Sequence, residues 1–439
     1  MSQRFIRDYL VLLTGGILLQ IGELLYRLVL AGQAGAETLG LTGMVFPLYR
    51  FLCILSTLGL CPTLTRMAAV HQGNALAVEA TYHRLILRFA VLLSLALVLA
   101  APLLSRYVYP DPRVLPLFYL MATALPLTAL AIAYQSSLQG HGYPGSLIMA
   151  EWVELAVEAG FVLAAVFNRS FSPAGAAQNL LIGFVLAEAA SLFYLHRSWQ
   201  AFREQATRQS TQPPVTAKIG RSIRSSLLIL LNQFLLTASS MAEGWLIPQR
   251  LLVSGLSATA ATRAVGQLWG MIYPVVFLPA TLMTPLAPLV LPRSARWSRM
   301  DDWSQIRPLL IRLLWAAGFL GVCSAVFVSR AARTITALLY PGASIADEVR
   351  RWAAVLPSAF TGFPAVIVLQ GLGKYRTLAG ITLLTVIVRT ALVFLLTGDP
   401  SLRLHGTRFA VIFSQALATI LSLAAIIAYL HRKQRQEGP

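Results

Sequence analysis

Between Tyr9 and Leu430 the chain is a succession of apolar runs close to twenty residues long, separated by short polar stretches. About 20 residues in a helix cross the hydrocarbon core of a bilayer. Inside that core every backbone N–H and C=O must find its partner within the protein, so only helices and closed barrels can span it. Alternation with a period of two, the mark of a membrane barrel, is absent. The expected fold is therefore an all-α integral membrane protein of about twelve transmembrane helices: 9–31, 39–64, 86–105, 114–138, 146–168, 177–196, 222–247, 263–291, 309–328, 351–372, 377–397 and 407–430. Composition agrees, since 12% of residues are charged and the mean hydropathy is +0.68. Soluble chains carry about 25% charged residues.

The chain repeats itself. Gly43-Met44-Val45-Phe46-Pro47 returns as Gly270-Met271-Ile272-Tyr273-Pro274, an offset of 227 that also carries Arg66 onto Arg293. Further on the offset is 231, where Tyr109-Pro110 meets Tyr340-Pro341 and Leu138-Gln139-Gly140-x-Gly142 meets Leu369-Gln370-Gly371-x-Gly373. Ordered matches of this kind indicate a duplicated unit of about 200 residues, and internal repeats in a hydrophobic chain are a mark of transporters. The expected organisation is an N-terminal six-helix bundle over 1–197, a cytoplasmic linker over 198–221, a C-terminal six-helix bundle over 222–432 and a cytoplasmic tail over 433–439. An even number of spans in each half gives both the same orientation, with a pseudo-twofold axis along the membrane normal.

Loop charges orient the spans. With the N-terminus in the cytoplasm, about 21 Lys and Arg fall on the cytoplasmic side and about 11 outside, so the positive-inside rule puts both termini in the cytoplasm of a plasma-membrane protein. The net charge of +18 is spread between the apolar runs rather than gathered in a basic domain, which argues against nucleic acid as a partner. The first span is longer than a signal-peptide core and has a repeat counterpart at 222–247, so it is read as retained. Cys53, Cys61 and Cys323 all lie in apolar runs and read as buried small residues.

Nine charges lie more than three positions from either end of an expected span: Glu23, Arg27, Arg50, Glu151, Glu154, Glu158, Glu188, Glu243 and Arg389. Each would cost roughly 2.5–3.5 kcal/mol at the centre of a lipid-facing helix, so they are expected to face one another or a wet interior. Glu23 and Arg27 are four apart on one helix face, an arrangement that serves equally as an ion pair or a cavity lining. Glu151, Glu154 and Glu158 form an acidic stripe at i, i+3 and i+7. Like charges at that spacing repel unless they bind cations, share protons or meet arginines. Glu158 and Arg389 are repeat equivalents, whereas Arg50 has Phe277 as its counterpart. A guanidinium stays charged and its fork suits phosphate oxygens. Arg27 and Arg50 are thus candidate pyrophosphate ligands, and pairing of Arg50 with Glu23 or Glu243 is the structural alternative.

Leu372-Gly373-Lys374-Tyr375 faintly resembles a phosphate loop but has Val368 in place of its first glycine and Tyr375 in place of its Ser or Thr, and Asp301-Asp302 reads as a surface helix start. The six histidines are scattered, and no nucleophile–base arrangement stands out, so no enzyme and no metal or cofactor site is expected.

Tyr26-Arg27, Gly35-Ala36-Glu37-x-Leu39-Gly40-Leu41, Phe46-Pro47-Leu48-Tyr49, Leu58-Gly59-Leu60 and Arg66-Met67-Ala68-Ala69, with the later Leu369-Gln370-Gly371-Leu372-Gly373-Lys374, resemble the signatures of stage V sporulation protein B-like transporters. That group belongs to the multidrug/oligosaccharidyl-lipid/polysaccharide (MOP) exporter superfamily, which also holds the MATE antiporters. The resemblance implies two six-helix bundles working by alternating access. The first two helices of each bundle would line a cavity in which arginines hold the pyrophosphate of a lipid-linked sugar, a role that falls here on Arg27 and Arg50. Glu23, Glu243 and Arg389 complete the candidate substrate cavity, and Glu151, Glu154 and Glu158 are candidates for ion coupling. Many members carry two further C-terminal spans, whereas this sequence ends after the twelfth expected one.

The leading expectation is a monomeric flippase for a polyprenyl-pyrophosphate-linked sugar or peptidoglycan precursor. Its partners would be membrane lipid, the lipid-linked substrate and candidate cell-wall synthesis enzymes, and coupling would be to Na⁺ or H⁺ if to any ion. The acidic stripe suits a second expectation, an antiporter exporting organic cations. A third is a membrane scaffold without transport.

Overall fold

The structure, a computed structural model, describes residues 3–57, 59–71, 76–143, 145–168, 172–209, 219–283, 290, 294, 303–340 and 343–436. Some side chains within its helices, Arg27 among them, lie outside the described set. The described residues are helical nearly throughout and include no strand. They fall into two units, Met1–Leu230 and Leu231–Pro439. Among them nine helices are long and apolar enough to cross a membrane. The expected spans 9–31, 146–168 and 222–247 are helical as well, within Gln3–Ser56, Gly145–Asn168 and Ile219–Val253.

The first unit contains α1 (Gln3–Ser56), α2 (Leu60–His71), α3 (Leu76–Leu103), α4 (Leu115–Gly140), α5 (Gly145–Asn168) and α6 (Pro173–Gln209). Two glycines shape its start. Gly35, at φ 77° and ψ 163°, breaks α1 into two helical stretches, which correspond to the first two expected spans. The second stretch stops at Ser56 instead of running to 64, because Thr57 and Gly59 are turn residues, Gly59 at φ 61°, before α2 begins. Helix α6 continues to Gln209, so the first part of the expected linker is helix; residues 210–218 lie outside the described set.

The second unit contains most of α7 (Ile219–Val253), then α8 (Ala258–Gly266), a π-helical turn at Gln267–Ile272, α9 (Tyr273–Phe277) and a 3-10 turn at Leu278–Met283. It continues with α10 (Trp303–Leu339), α11 (Ala346–Trp352), α12 (Leu356–Gly371), α13 (Tyr375–Thr397) and α14 (Leu404–Gln436). Asp301-Asp302 lies outside the described residues. The repeated Gly-Met-x-x-Pro segment folds differently in the two units. Pro47 sits inside α1, whereas Pro274 opens α9 directly after the π turn. A proline has no N–H to give to a helix, and a π turn is one way to absorb the mismatch.

The other repeated segment folds the same way twice. At the end of α4, Gly142 N–H bonds Gln139 C=O at 3.1 Å and Tyr143 N–H bonds Leu138 C=O at 3.0 Å. At the end of α12, Gly373 N–H bonds Gln370 C=O at 3.0 Å and Lys374 N–H bonds Leu369 C=O at 3.0 Å. These are paired Schellman closures, and they place Gly142 and Gly373 at φ 82° and 68°, where a Cβ is costly. The Leu-Gln-Gly-x-Gly element is a helix stop.

Long helices here carry apolar side chains outward. Leu92, Leu95 and Leu99 on α3, and Trp315, Phe319, Val322 and Val326 on α10, are exposed at helical spacing, a face suited to acyl chains. Cys53 is buried and Cys61 half-buried, but Cys323 is exposed beside Val322, contrary to the reading of all three as buried.

The histidines are less scattered than their spacing suggests. In the first unit His141 Nε2 lies 3.0 Å from the buried Glu79 carboxylate. His83 Nε2 lies 2.9 Å from Ser137 Oγ, and His196 Nδ1 lies 2.9 Å from Tyr134 OH. Trp199 and Phe202 pack against the same rings. This aromatic knot ties α3, α4 and α6 together at one end of the unit.

Candidate functional site

Carboxylates from three helices converge in the first unit. Helix α5 presents Glu151, Glu154 and Glu158 in the expected stripe, α1 brings Glu23 and α6 brings Glu188. Glu154 lies within electrostatic reach of Glu158, Glu151 and Glu23, and Glu188 within reach of Glu154 and Glu158. Exposure falls across the group: Glu151 is exposed, Glu154 and Glu158 are half-buried and Glu188 is buried. Hydroxyls stand beside the deeper members. Tyr26 OH donates to Glu158 Oε1 at 3.0 Å, and Glu188 shares a hydrogen bond with Thr128. Thr128 Oγ1 in turn bonds the hydroxyl of Tyr49, whose buried ring packs edge-on against Phe46 and Phe184. Five acids with hydroxyls among them can share protons, because so many like charges are stable only when neutralised; among the described residues no three of them lie close enough together to hold a metal ion.

Arg50 lies one residue beyond Tyr49 on the same helix and is exposed. It is close enough to Cys53 and Glu188 that all belong to one electrostatic neighbourhood, Cys53 feeling both. The Arg27 side chain, and with it the expected Glu23–Arg27 pair, lies outside the described residues. Glu23 is half-buried on α1.

The second unit answers the same positions with a closed ion pair. Arg389 Nη2 donates to Glu243 Oε2 at 2.7 Å, and Arg389 Nε lies 2.7 Å from Glu243 Oε1. Ser239 Oγ donates to Glu243 Oε1 at 3.3 Å, and the hydroxyl of Tyr273 lies within electrostatic reach of both partners. Glu243 and Arg389, both candidates for the substrate cavity, neutralise each other in this conformation. The pair is one rung of three between α7 and α13. Thr382 Oγ1 donates to Asn232 Oδ1 at 2.6 Å, and the Arg250 guanidinium lies 4.2 Å over the ring of Phe394.

The repeat equivalents Glu158 and Arg389 thus hold corresponding places. Each meets a side chain from the first helix of its own unit, Tyr26 in one and Glu243 in the other.

The sequence matches the family model described as "Polysaccharide biosynthesis protein" over residues 5–288. The chain belongs to the polysaccharide biosynthesis protein family. A relative within reach of this family is Stage V sporulation protein B of Bacillus subtilis (strain 168), 22% identical over 97% of this chain and 84% of its own length. Solved structures share the fold. An inward-facing multidrug resistance MATE family transporter of the MOP superfamily superposes with a TM-score of 0.76 at 13% identity, covering 96% of each chain. A MOP superfamily transporter from Pyrococcus furiosus, whose binding pocket is described as having reverse polarity, gives 0.62 at 14% identity over 97% of this chain and 94% of that one. This member of the polysaccharide biosynthesis protein family is accordingly a multi-pass membrane protein with the fold of those MOP superfamily transporters.

Among the residues that shape both sites, Tyr26, Thr128, Tyr49, Ser239 and Tyr273 were not singled out by charge counting. Tyr26 had a signal, since it lies three residues after Glu23 and so on the same face of α1. Thr128 and Tyr273 had none, because their role depends on which helices are neighbours.

Proposed function

We propose that this protein is an alternating-access flippase that moves a polyprenyl-pyrophosphate-linked oligosaccharide or peptidoglycan precursor, of the cell-wall or spore-cortex kind, across the cytoplasmic membrane. The observation that carries the reading is Arg50, an exposed guanidinium within the candidate span that ends at Ser56. Facing acyl chains it would cost roughly 2.5–3.5 kcal/mol, so water or an anion is its natural environment. Its fork matches the oxygens of a pyrophosphate, and it cannot discharge itself by losing a proton. The family and the sporulation-protein relative support the substrate class. A bilayer excludes such a headgroup because its charges and hydroxyls cannot be desolvated cheaply, and an arginine-lined wet path removes that barrier. Arg27 is the second proposed pyrophosphate ligand, both termini are placed in the cytoplasm, and cell-wall synthesis enzymes are the proposed protein partners.

The carboxylate cluster is assigned to coupling. Protons or Na⁺ entering among Glu154, Glu158 and Glu188 would neutralise their repulsion and bias the N-terminal unit. Glu158→Gln is expected to keep downhill flipping of a fluorescent polyprenyl-pyrophosphate sugar in proteoliposomes while losing its response to an imposed Na⁺ or pH gradient. The same cluster is the specific support for the second reading, export of organic cations. Loss of dye export in Glu158→Gln, with no movement of lipid-linked sugar by the unmodified protein, would establish that second reading in place of the first.

A further inference from the structure

One end of the second unit gathers arginine on the side that loop charge assigns to the exterior. Arg330 and Arg333 lie near the end of α10, Arg350 and Arg351 on α11, and Arg403 and Arg408 flank the start of α14. These six make up more than half of the roughly eleven basic residues assigned to that side, where multi-pass proteins are normally poor in them. Ser329 Oγ donates to Arg350 C=O at 3.4 Å, so the last turn of α11 lies against α10 about three turns before the latter ends.

Among the described residues Glu348 is the carboxylate in contact with the inner members, with Asp347 beside it on α11 and Asp399 bound to Ser401. Glu348 Oε1 lies 3.4 Å from Arg351 Nη1 and 3.6 Å from His405 Nδ1, and Glu348 Oε2 lies 3.7 Å from Arg408 Nη1. Arg351 Nη1 also lies 3.2 Å from His405 Nε2. A guanidinium only donates, so Nε2 accepts and the ring proton sits on Nδ1, facing Glu348. The imidazole is then neutral, and two guanidiniums share one carboxylate. None of these contacts reaches the roughly 2.7–2.9 Å of a strong charge-assisted bond. Arg408 Nη1, His405 Nδ1 and Glu348 Oε2 are all buried without a hydrogen-bond partner among the described residues. The corresponding end of the first unit is different. There Arg113 binds Glu37 at 2.7 Å and Asp111 at 2.6 Å, a compact cluster with acid in excess.

We propose that the Arg351–His405–Arg408 corner is a binding site for a phosphate anion, with Glu348 as the internal group that holds the cations apart when the anion is away. Phosphate oxygens would take the donors of Arg351 and Arg408 that Glu348 reaches only at long range. The chemistry is shared by the phosphodiester of an anionic lipid headgroup and by free phosphate. The site lies on the second unit alone, whereas the proposed pyrophosphate ligands belong to the first.

The test is native mass spectrometry of the full chain in detergent with phosphatidylglycerol, repeated with inorganic phosphate as competitor. The unmodified protein is expected to retain a phosphatidylglycerol that Arg408→Gln binds about tenfold more weakly, the scale of one lost charge-assisted bond. Glu348→Gln is expected to act in the opposite direction and tighten retention, because it removes the competing anion. A purely structural cluster would give no such gain. Retention that inorganic phosphate leaves untouched assigns the site to lipid, and displacement by inorganic phosphate assigns it to the free anion; both support a phosphate site. Equal retention in the unmodified protein, Arg408→Gln and Glu348→Gln, all monodisperse, overturns it. Should Arg408→Gln fail to fold, Arg351→Gln carries the same comparison, since the Arg351 side chain is 51% exposed.

Discussion

Arg389→Gln is expected to destabilise the second unit by about 3–5 kcal/mol, the usual cost of removing one partner from a buried ion pair. The reason lies in what remains. Glu243 is 4% exposed and would keep only the 3.3 Å bond from Ser239, leaving a carboxylate in mid-span without a counter-ion. It must then take up a proton or draw in water, and either course loosens the contact between α7 and α13. The neighbouring rungs at Asn232–Thr382 and Arg250–Phe394 hold the two helices only above and below the gap. Thermal melting of the purified variant, followed by size-exclusion fluorescence, measures the effect. The exchange Glu243→Arg with Arg389→Glu is expected to recover part of the loss, because it restores a neutral pair. A double replacement by apolar residues of similar volume is expected to recover more, since such a core escapes the desolvation that a buried pair never fully repays.

The second large effect concerns activity and not folding. Arg50→Ala is expected to reduce translocation of a pyrophosphate-linked sugar by about 10- to 100-fold, which corresponds to losing a hydrogen bond to a charged group worth about 1.5–3 kcal/mol. The fold should survive, because the side chain is exposed and its removal opens no cavity in the core. Arg50→Lys should recover only part of the activity, since an ammonium keeps the charge but loses the two-pronged geometry. A uniform fall in membrane insertion would indicate instead that Arg50 serves stability. The proteoliposome assay distinguishes these outcomes when read beside the melting temperature of each variant.

The spans were legible because their signal is local. A run of apolar residues fixes a helix without knowledge of its neighbours, and the repeat fixes two units without knowledge of the fold. The acidic stripe on α5 was legible for the same reason, being a matter of spacing on one helix. What escaped was everything that depends on adjacency. The break at Gly59 needed backbone geometry, because leucines on both sides make the run look continuous. Glu243 and Arg389 lie 146 positions apart, and nothing in either segment says that α7 and α13 are neighbours. The Glu79–His141 contact joins residues 62 positions apart for the same reason, so histidines that look scattered form one knot. Repeat matching helped only in part. It identified 158 and 389 as equivalent places but could not foresee that one would meet a tyrosine and the other a glutamate.

The account depends on Arg50 pointing into water at a depth where lipid surrounds the outer face. A thiolate forms only where water reaches it, so cysteine labelling reads that property directly. With Cys53, Cys61 and Cys323 replaced by alanine, single cysteines would be placed at position 50 and at position 99, where Leu99 is 74% exposed on the lipid-suited face of α3. A hydrophilic maleimide is expected to modify position 50 rapidly in intact membranes and position 99 hardly at all, with a pyrophosphate-linked lipid slowing the reaction at 50 alone. Position 50 as unreactive as position 99 would contradict a wet translocation path and the flippase reading built on it.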